Sequence, residues 1–171
     1  LDIMENQLGE YKKNFIIDFL GGIQSDNPLD NSKLILNRVE ELRSIGFSII
    51  VHPVQFIPPV EYDKELSKAE IIPGNITFLF NRFSSYGKTK ETGLPFAMIK
   101  VAKPGILPYS YPLPVEISSS TLRYHDFNDL ARILISLITD RQSVIDLKIN
   151  ALANSKHFSP DVIYNQIVAE N

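Results

Sequence analysis

The sequence predicts an α/β domain: a Rossmann-like, three-layer fold in which a parallel sheet is flanked by helices. Three observations predict it. Short apolar runs of strand length alternate with segments whose apolar residues fall at helical spacing. The first two runs bracket one such segment, and strand–helix–strand implies parallel strands with a right-handed crossover. After the last run only helical patterns follow, so four or five strands precede a helical end.

Each element has its own signal. Residues 1–13 are polar and read as a linker or peripheral helix, which leaves 14–171 as the domain. Asn14–Leu20 is apolar and stops at Gly21-Gly22, as a strand buried on both faces would. A turn-rich loop follows to Asp30. From Ser32 to Ile45, Ile35, Val39 and Leu42 share a helical face, and Gly46 supplies the stop. Phe47–Val51 is the next strand, ended by His52-Pro53. Glu61–Ala69 is a short helix, Pro73-Gly74 a turn and Ile76–Phe80 a strand. Leu94–Ala102 is a helix apolar almost all round, expected to be buried, and Gly105–Leu107 is a strand. Tyr109–Pro114 is stiffened by its prolines. Asp126 caps a helix carrying Leu130, Ile133, Leu134 and Leu137 on one face. Another helix runs from about Arg141 to Ala153, and Ser159-Pro160 opens the last.

Bulk properties narrow the function. A chain of 171 residues suits one domain. A net charge of -3 argues against a general nucleic-acid binder. There is no cysteine, which removes disulfides, thiolate metal sites and cysteine nucleophiles. No apolar run approaches the roughly 20 residues that span a bilayer, so no transmembrane segment is expected. The chain opens at Leu1 without an initiator Met, and a piece of a longer protein is the expectation. The expected location is the cytoplasm, the inner face of a membrane included.

Ligands of parallel α/β sheets bind beyond the carboxyl ends of the strands. The loop after Phe80 holds Arg82, Lys88 and Lys90, with hydroxyls at Ser84, Ser85, Thr89 and Thr92. It feeds a helix whose first amides, near Gly93 and Leu94, lie at the positive end of the helix dipole, an anion site. Gly93 lets a ligand approach the backbone. These are the ingredients of a phosphate site; a solvated loop with a cap at Thr92 is the plainer alternative. The Tyr109 and Tyr111 loop suits stacking a base, contacting an acceptor or closing the sheet edge. His52 stands at the ligand edge, but His-Pro also simply ends a strand. His125 and His157 are isolated, and no spacing suggests a metal site.

The stretch Thr92-Gly-Leu-Pro-Phe-Ala-Met-Ile-Lys-Val-Ala-Lys-Pro-Gly-Ile-Leu-Pro108 resembles the donor-site helix of GT-B glycosyltransferases. Their C-terminal halves often read Ser/Thr-Gly, then Glu-Ala, then Gly-Lys-Pro-Val-Ile. Tyr124-His-Asp-Phe-Asn-Asp-Leu-Ala131 is similar to a later helix entry of that family, and Phe158–Tyr164 to its final helix. The resemblance covers roughly residues 14–170. It implies the donor-binding half of an enzyme that moves a sugar from a nucleotide sugar to a glycan or other acceptor, as in polysaccharide biosynthesis. It also implies an N-terminal acceptor half outside this chain, and neither metal nor cofactor. The diphosphate would meet Thr92, Gly93 and Leu94, approached by Gly21 and Gly22. Lys88 or Lys90 would stabilise the leaving group, and Glu91 is a candidate ribose or sugar contact. The family's ribose-binding glutamate is replaced by Ala97, and its glycine before Lys-Pro by Ala102. Ala97 keeps open a non-catalytic Rossmann-like interaction domain. An NAD enzyme ranks last, because no Gly-x-Gly-x-x-Gly follows a strand.

Overall fold

The structure is a computed structural model that describes residues 2–20, 32–52, 57–74 and 93–169. Among these residues lie strands β1 (Ile16–Phe19), β2 (Ser48–Val51), β3 (Ile72–Pro73), β4 (Gly105–Pro108) and β5 (Thr121–Tyr124). The α-helices are α1 (Asp2–Leu8), α2 (Ser32–Ser44), α3 (Pro59–Lys68), α4 (Leu94–Val101), α5 (Phe127–Thr139), α6 (Arg141–Ser155) and α7 (Pro160–Ala169). The strand expected over Ile76–Phe80 lies outside the described residues.

Every strand pairing is parallel. β1 pairs with β2, and β4 lies between β3 and β5. Among the described residues the strands thus form two small parallel sheets, of order β1-β2 and β3-β4-β5. Helices flank both sheets, as the Rossmann-like reading requires.

The interior is continuous. Leu8, Val39, Leu42, Phe47 and Ile49 form a cluster around β1 and β2. Ile106, Tyr124, Leu137 and Val144 form another under α5 and α6, and Leu134 packs against both clusters. Leu66, Ile72, Met98, Leu107, Tyr111 and Ile117 form a third, against which Leu20 packs at the end of β1. The N-terminal segment joins this interior. Leu8 is 1% exposed, Gln7 bonds Asn128 of α5, and Glu5 pairs with Arg38 of α2.

Four expectations need correcting. Pro73 belongs to β3, not to a turn. Its missing N–H does not break the ladder, because Ile72 N–H donates to Pro104 O and Gly74 N–H to Ile106 O. Thr121–Tyr124 is a strand that carries no apolar run to announce it. β1 is not buried on both faces: Ile17 and Phe19 pack inward, while Ile16 and Asp18 are exposed. α4 is not buried all round either. Pro95 and Met98 face the core and Phe96 is 64% exposed. An apolar circumference cannot indicate that only one side meets a neighbour.

Two helices end in the same motif with different residues. At α2, Gly46 N–H donates to Arg43 O and Phe47 N–H to Leu42 O. Gly46 has φ +99, which glycine tolerates freely. At α4, Ala102 N–H donates to Ile99 O and Lys103 N–H to Met98 O, but Ala102 has φ 50 and ψ 48. A side chain in that left-handed region costs about 1–2 kcal/mol, partly offset by glycine's greater freedom in the unfolded chain. Ala102→Gly is therefore expected to raise stability by roughly 0.5–1 kcal/mol in urea unfolding. A destabilised variant would mean that the alanine methyl contributes more than its strain removes.

Candidate functional site at the carboxyl edge of the sheet

The site is built from the carboxyl ends of β3, β4 and β5. Gly74 follows β3 directly. Its N–H donates to Ile106 O at 2.8 Å, and its carbonyl accepts from the Tyr124 hydroxyl at 3.0 Å. One residue is thus tied to both β4 and β5, the other two strands of its sheet. Tyr124 is 4% exposed, and burial pushes its phenol above the ordinary tyrosine range.

Gly74 also sets the position of α4. A Cβ placed on it would lie 2.1 Å from Leu94 Cδ2 and 2.9 Å from Leu107 Cδ2. Only a residue without a side chain lets the first residue of α4 close onto the end of β3. Leu94 and Leu20 both pack against the cluster that holds Leu107 and Met98. The start of α4 and the end of β1 therefore approach the same part of the interior.

At the N-terminus of α4, Gly93 occupies the cap position and offers no side-chain cap bond of its own, and the first turn carries no acidic residue. By contrast, Asp126 caps α5 by accepting from Asp129 N–H, and Asp140 caps α6 by accepting from Gln142 and Ser143 N–H. Such a cap is worth about 1 kcal/mol. Among the described residues, no carboxylate of the first turn offsets the partial positive charge at the start of α4. Among the described residues, a Cβ on Gly93 would meet nothing within 4 Å. Its φ of -67 is ordinary, so this glycine is not required by the backbone. Pro95 removes one amide from the first turn.

Of the residues singled out in the sequence, the structure brings Gly93, Leu94 and Tyr109 to this edge. Tyr109 is 60% exposed. Tyr111 is buried with Leu107 and Ile117, so its ring belongs to the core. Gly21, Gly22, Lys88, Lys90, Glu91 and Thr92 lie outside the described residues.

Three residues without a site role in the sequence reading stand here: Gly74, read as part of a turn, His125, read as isolated, and Arg123. The rings of Tyr109 and His125 stack at 4.5 Å with 23° between their planes. Arg123 Cζ lies 5.0 Å from the Tyr109 ring centroid. Arg123 Nη2 donates to the carbonyls of Pro108, Tyr109 and Tyr111, while its Nε is buried without a partner among the described residues. No spacing signal marks these side chains, since their grouping depends on the pairing of β4 with β5.

In the two-stranded sheet, His52 Nε2 and Asp18 Oδ1 share a hydrogen bond of 2.8 Å. This pair ties β1 to the end of β2. A cavity of about 350 Å³ between α5 and α6, lined by Leu122, Ser136, Leu137, Ser143, Asp146 and Asn150 among others, holds none of the candidate residues. Among the described residues, no three acidic or histidine side chains gather as a metal would require, and no helix is long and apolar enough to cross a membrane.

No family model, curated protein or solved structure matches this chain. The functional reading therefore rests on the residues and the geometry of this edge.

Proposed function

We propose that this domain is the donor-binding half of a GT-B glycosyltransferase, taking a nucleotide sugar and passing its sugar to a glycan or other acceptor. The observation that carries the reading is Gly74, whose missing side chain lets the start of α4 close onto the carboxyl end of β3. A helix N-terminus at the ligand edge of a parallel sheet suits a diphosphate. Lys88 and Lys90 precede it in sequence and supply the charge that stabilises the leaving diphosphate. The acceptor half lies outside this chain, and the reaction takes place in the cytoplasm or at the inner face of a membrane. Ile145, Ile149 and Leu152 on α6, with Ile163 and Tyr164 on α7, are exposed apolar residues that such a half would cover.

One observation favours a second reading, a non-catalytic interaction domain. Ala97, where the family carries its ribose-binding glutamate, packs against the core cluster of Leu66 and Met98. That position offers no ribose contact in this chain, and the exposed faces of α6 and α7 would then serve a partner protein.

A titration of UDP, GDP, dTDP, ADP and CMP, followed by amide chemical shifts, separates the two. Donor binding moves Gly93, Leu94 and Gly21 together for one nucleotide. Silence across the panel at millimolar nucleotide supports the interaction domain. Gly93→Leu is the companion variant. Among the described residues nothing lies within 4 Å of a Cβ at Gly93, and blocking the helix end is expected to weaken binding at least about tenfold, roughly 1.4 kcal/mol. Unchanged affinity would remove the proposed phosphate site.

A further inference from the structure

The carboxyl edge carries a second feature, set by strand register. The last pair of the β4–β5 ladder is Pro108 with Tyr124. Tyr109 N–H then donates to Tyr124 O at 2.7 Å, so the pairing continues one step further. That step sets Tyr109 beside His125, and neighbouring parallel strands are spaced closely enough for two rings to stack. Arg123 lies two residues before His125, on the same face of β5. It reaches under the turn and donates to three carbonyl oxygens, at 3.3 Å to Pro108, 2.5 Å to Tyr109 and 2.6 Å to Tyr111. The backbone N–H of His125 donates to the Asp129 carboxylate at 3.0 Å. Both ring-bearing residues are thus anchored through their backbones, yet Tyr109 and His125 remain exposed.

We infer that the Tyr109–His125 ring pair takes the flat base of a nucleotide, and that Arg123 is the positioning residue that holds the turn for it. This rests on the donor-binding reading above. The chemistry fits. A base has a π-face whatever its identity, and two pre-stacked rings fixed at their backbones lose little freedom on accepting a third. The Arg123 cation lies close to the Tyr109 ring, where it limits ring motion before the ligand arrives. Arg123 acts through the turn and needs no contact with the ligand.

The experiment compares the best-binding nucleotide with inorganic pyrophosphate, titrated into the whole chain and into three variants. Tyr109→Ala and Arg123→Met are each expected to weaken the nucleotide by about tenfold or more, with pyrophosphate affinity unchanged. Tyr109→Phe keeps the ring and is expected to bind the nucleotide like the native chain. Ring resonances of Tyr109 and His125 should move with the nucleotide and stay still with pyrophosphate. Tyr109 is exposed, so its truncation does not disturb the core. Equal loss of nucleotide and pyrophosphate in these variants overturns the inference, because the stack would then act only through general structure. So does a nucleotide that moves Gly93 and Leu94 but neither ring, an outcome that leaves the donor-binding reading standing. A native chain that binds neither ligand overturns both.

Discussion

Gly74→Val is expected to cost about 3 kcal/mol of folding stability, the upper part of the range for overpacked sites, and to abolish nucleotide binding. The two effects have one origin. The new side chain enters space occupied by Leu94 Cδ2 and Leu107 Cδ2. Leu94 is partly exposed and can swing away, but Leu107 is fully buried and has no room to yield. The strain therefore falls on the core, while the displaced Leu94 carries the start of α4 off the end of β3. Gly93→Leu supplies the contrast, since a Cβ there, one residue before α4, meets none of the described residues within 4 Å. Urea unfolding and nucleotide titration of both variants check the prediction. A Gly74→Val chain of native stability would contradict the close approach of Leu94. A destabilised chain that still binds nucleotide normally would show that the helix end is not the anion site.

This contrast shows what the sequence could and could not convey. The first βαβ unit was legible because its signals are local. Val39 and Leu42 repeat at helical spacing, and Gly46 occupies the left-handed position that ends α2. Asp126 was legible as a cap for the same reason: its side chain reaches only to Asp129 N–H. β3 and β5 were not legible. β3 is two residues long and includes Pro73, and β5 reads Thr-Leu-Arg-Tyr, which is neither an apolar run nor a clear alternation. Their identity as strands comes from pairing with β4, a long-range property. Missing them concealed part of the site. Gly74 looked like half of a turn, His125 like an isolated histidine, and nothing marked Arg123. Gly93, in contrast, was recognised from the sequence around it, because a glycine before an apolar helix is a local pattern.

Tyr124→Phe is the second large effect, expected at about 2 kcal/mol. The phenol hydroxyl is the cross-link between β5 and the residue that closes β3. Its removal leaves the Gly74 carbonyl buried without that donor, and a buried group left unsatisfied costs about 1–3 kcal/mol. The pH dependence gives an independent test. Because burial raises the folded pKa of Tyr124, the folded chain holds the phenol proton more tightly than the unfolded chain does. Its contribution is complete below the unfolded phenol value of about 10, and it is lost as pH rises through the folded value. The native chain should therefore lose stability on the alkaline side through this group, and Tyr124→Phe should lack that part of the decline. Urea midpoints measured between neutral pH and strongly alkaline pH read both effects. Parallel curves for the two chains would mean that Tyr124 ionises as freely in the folded state as in the unfolded one, and that β3 and β5 are held together without its hydroxyl.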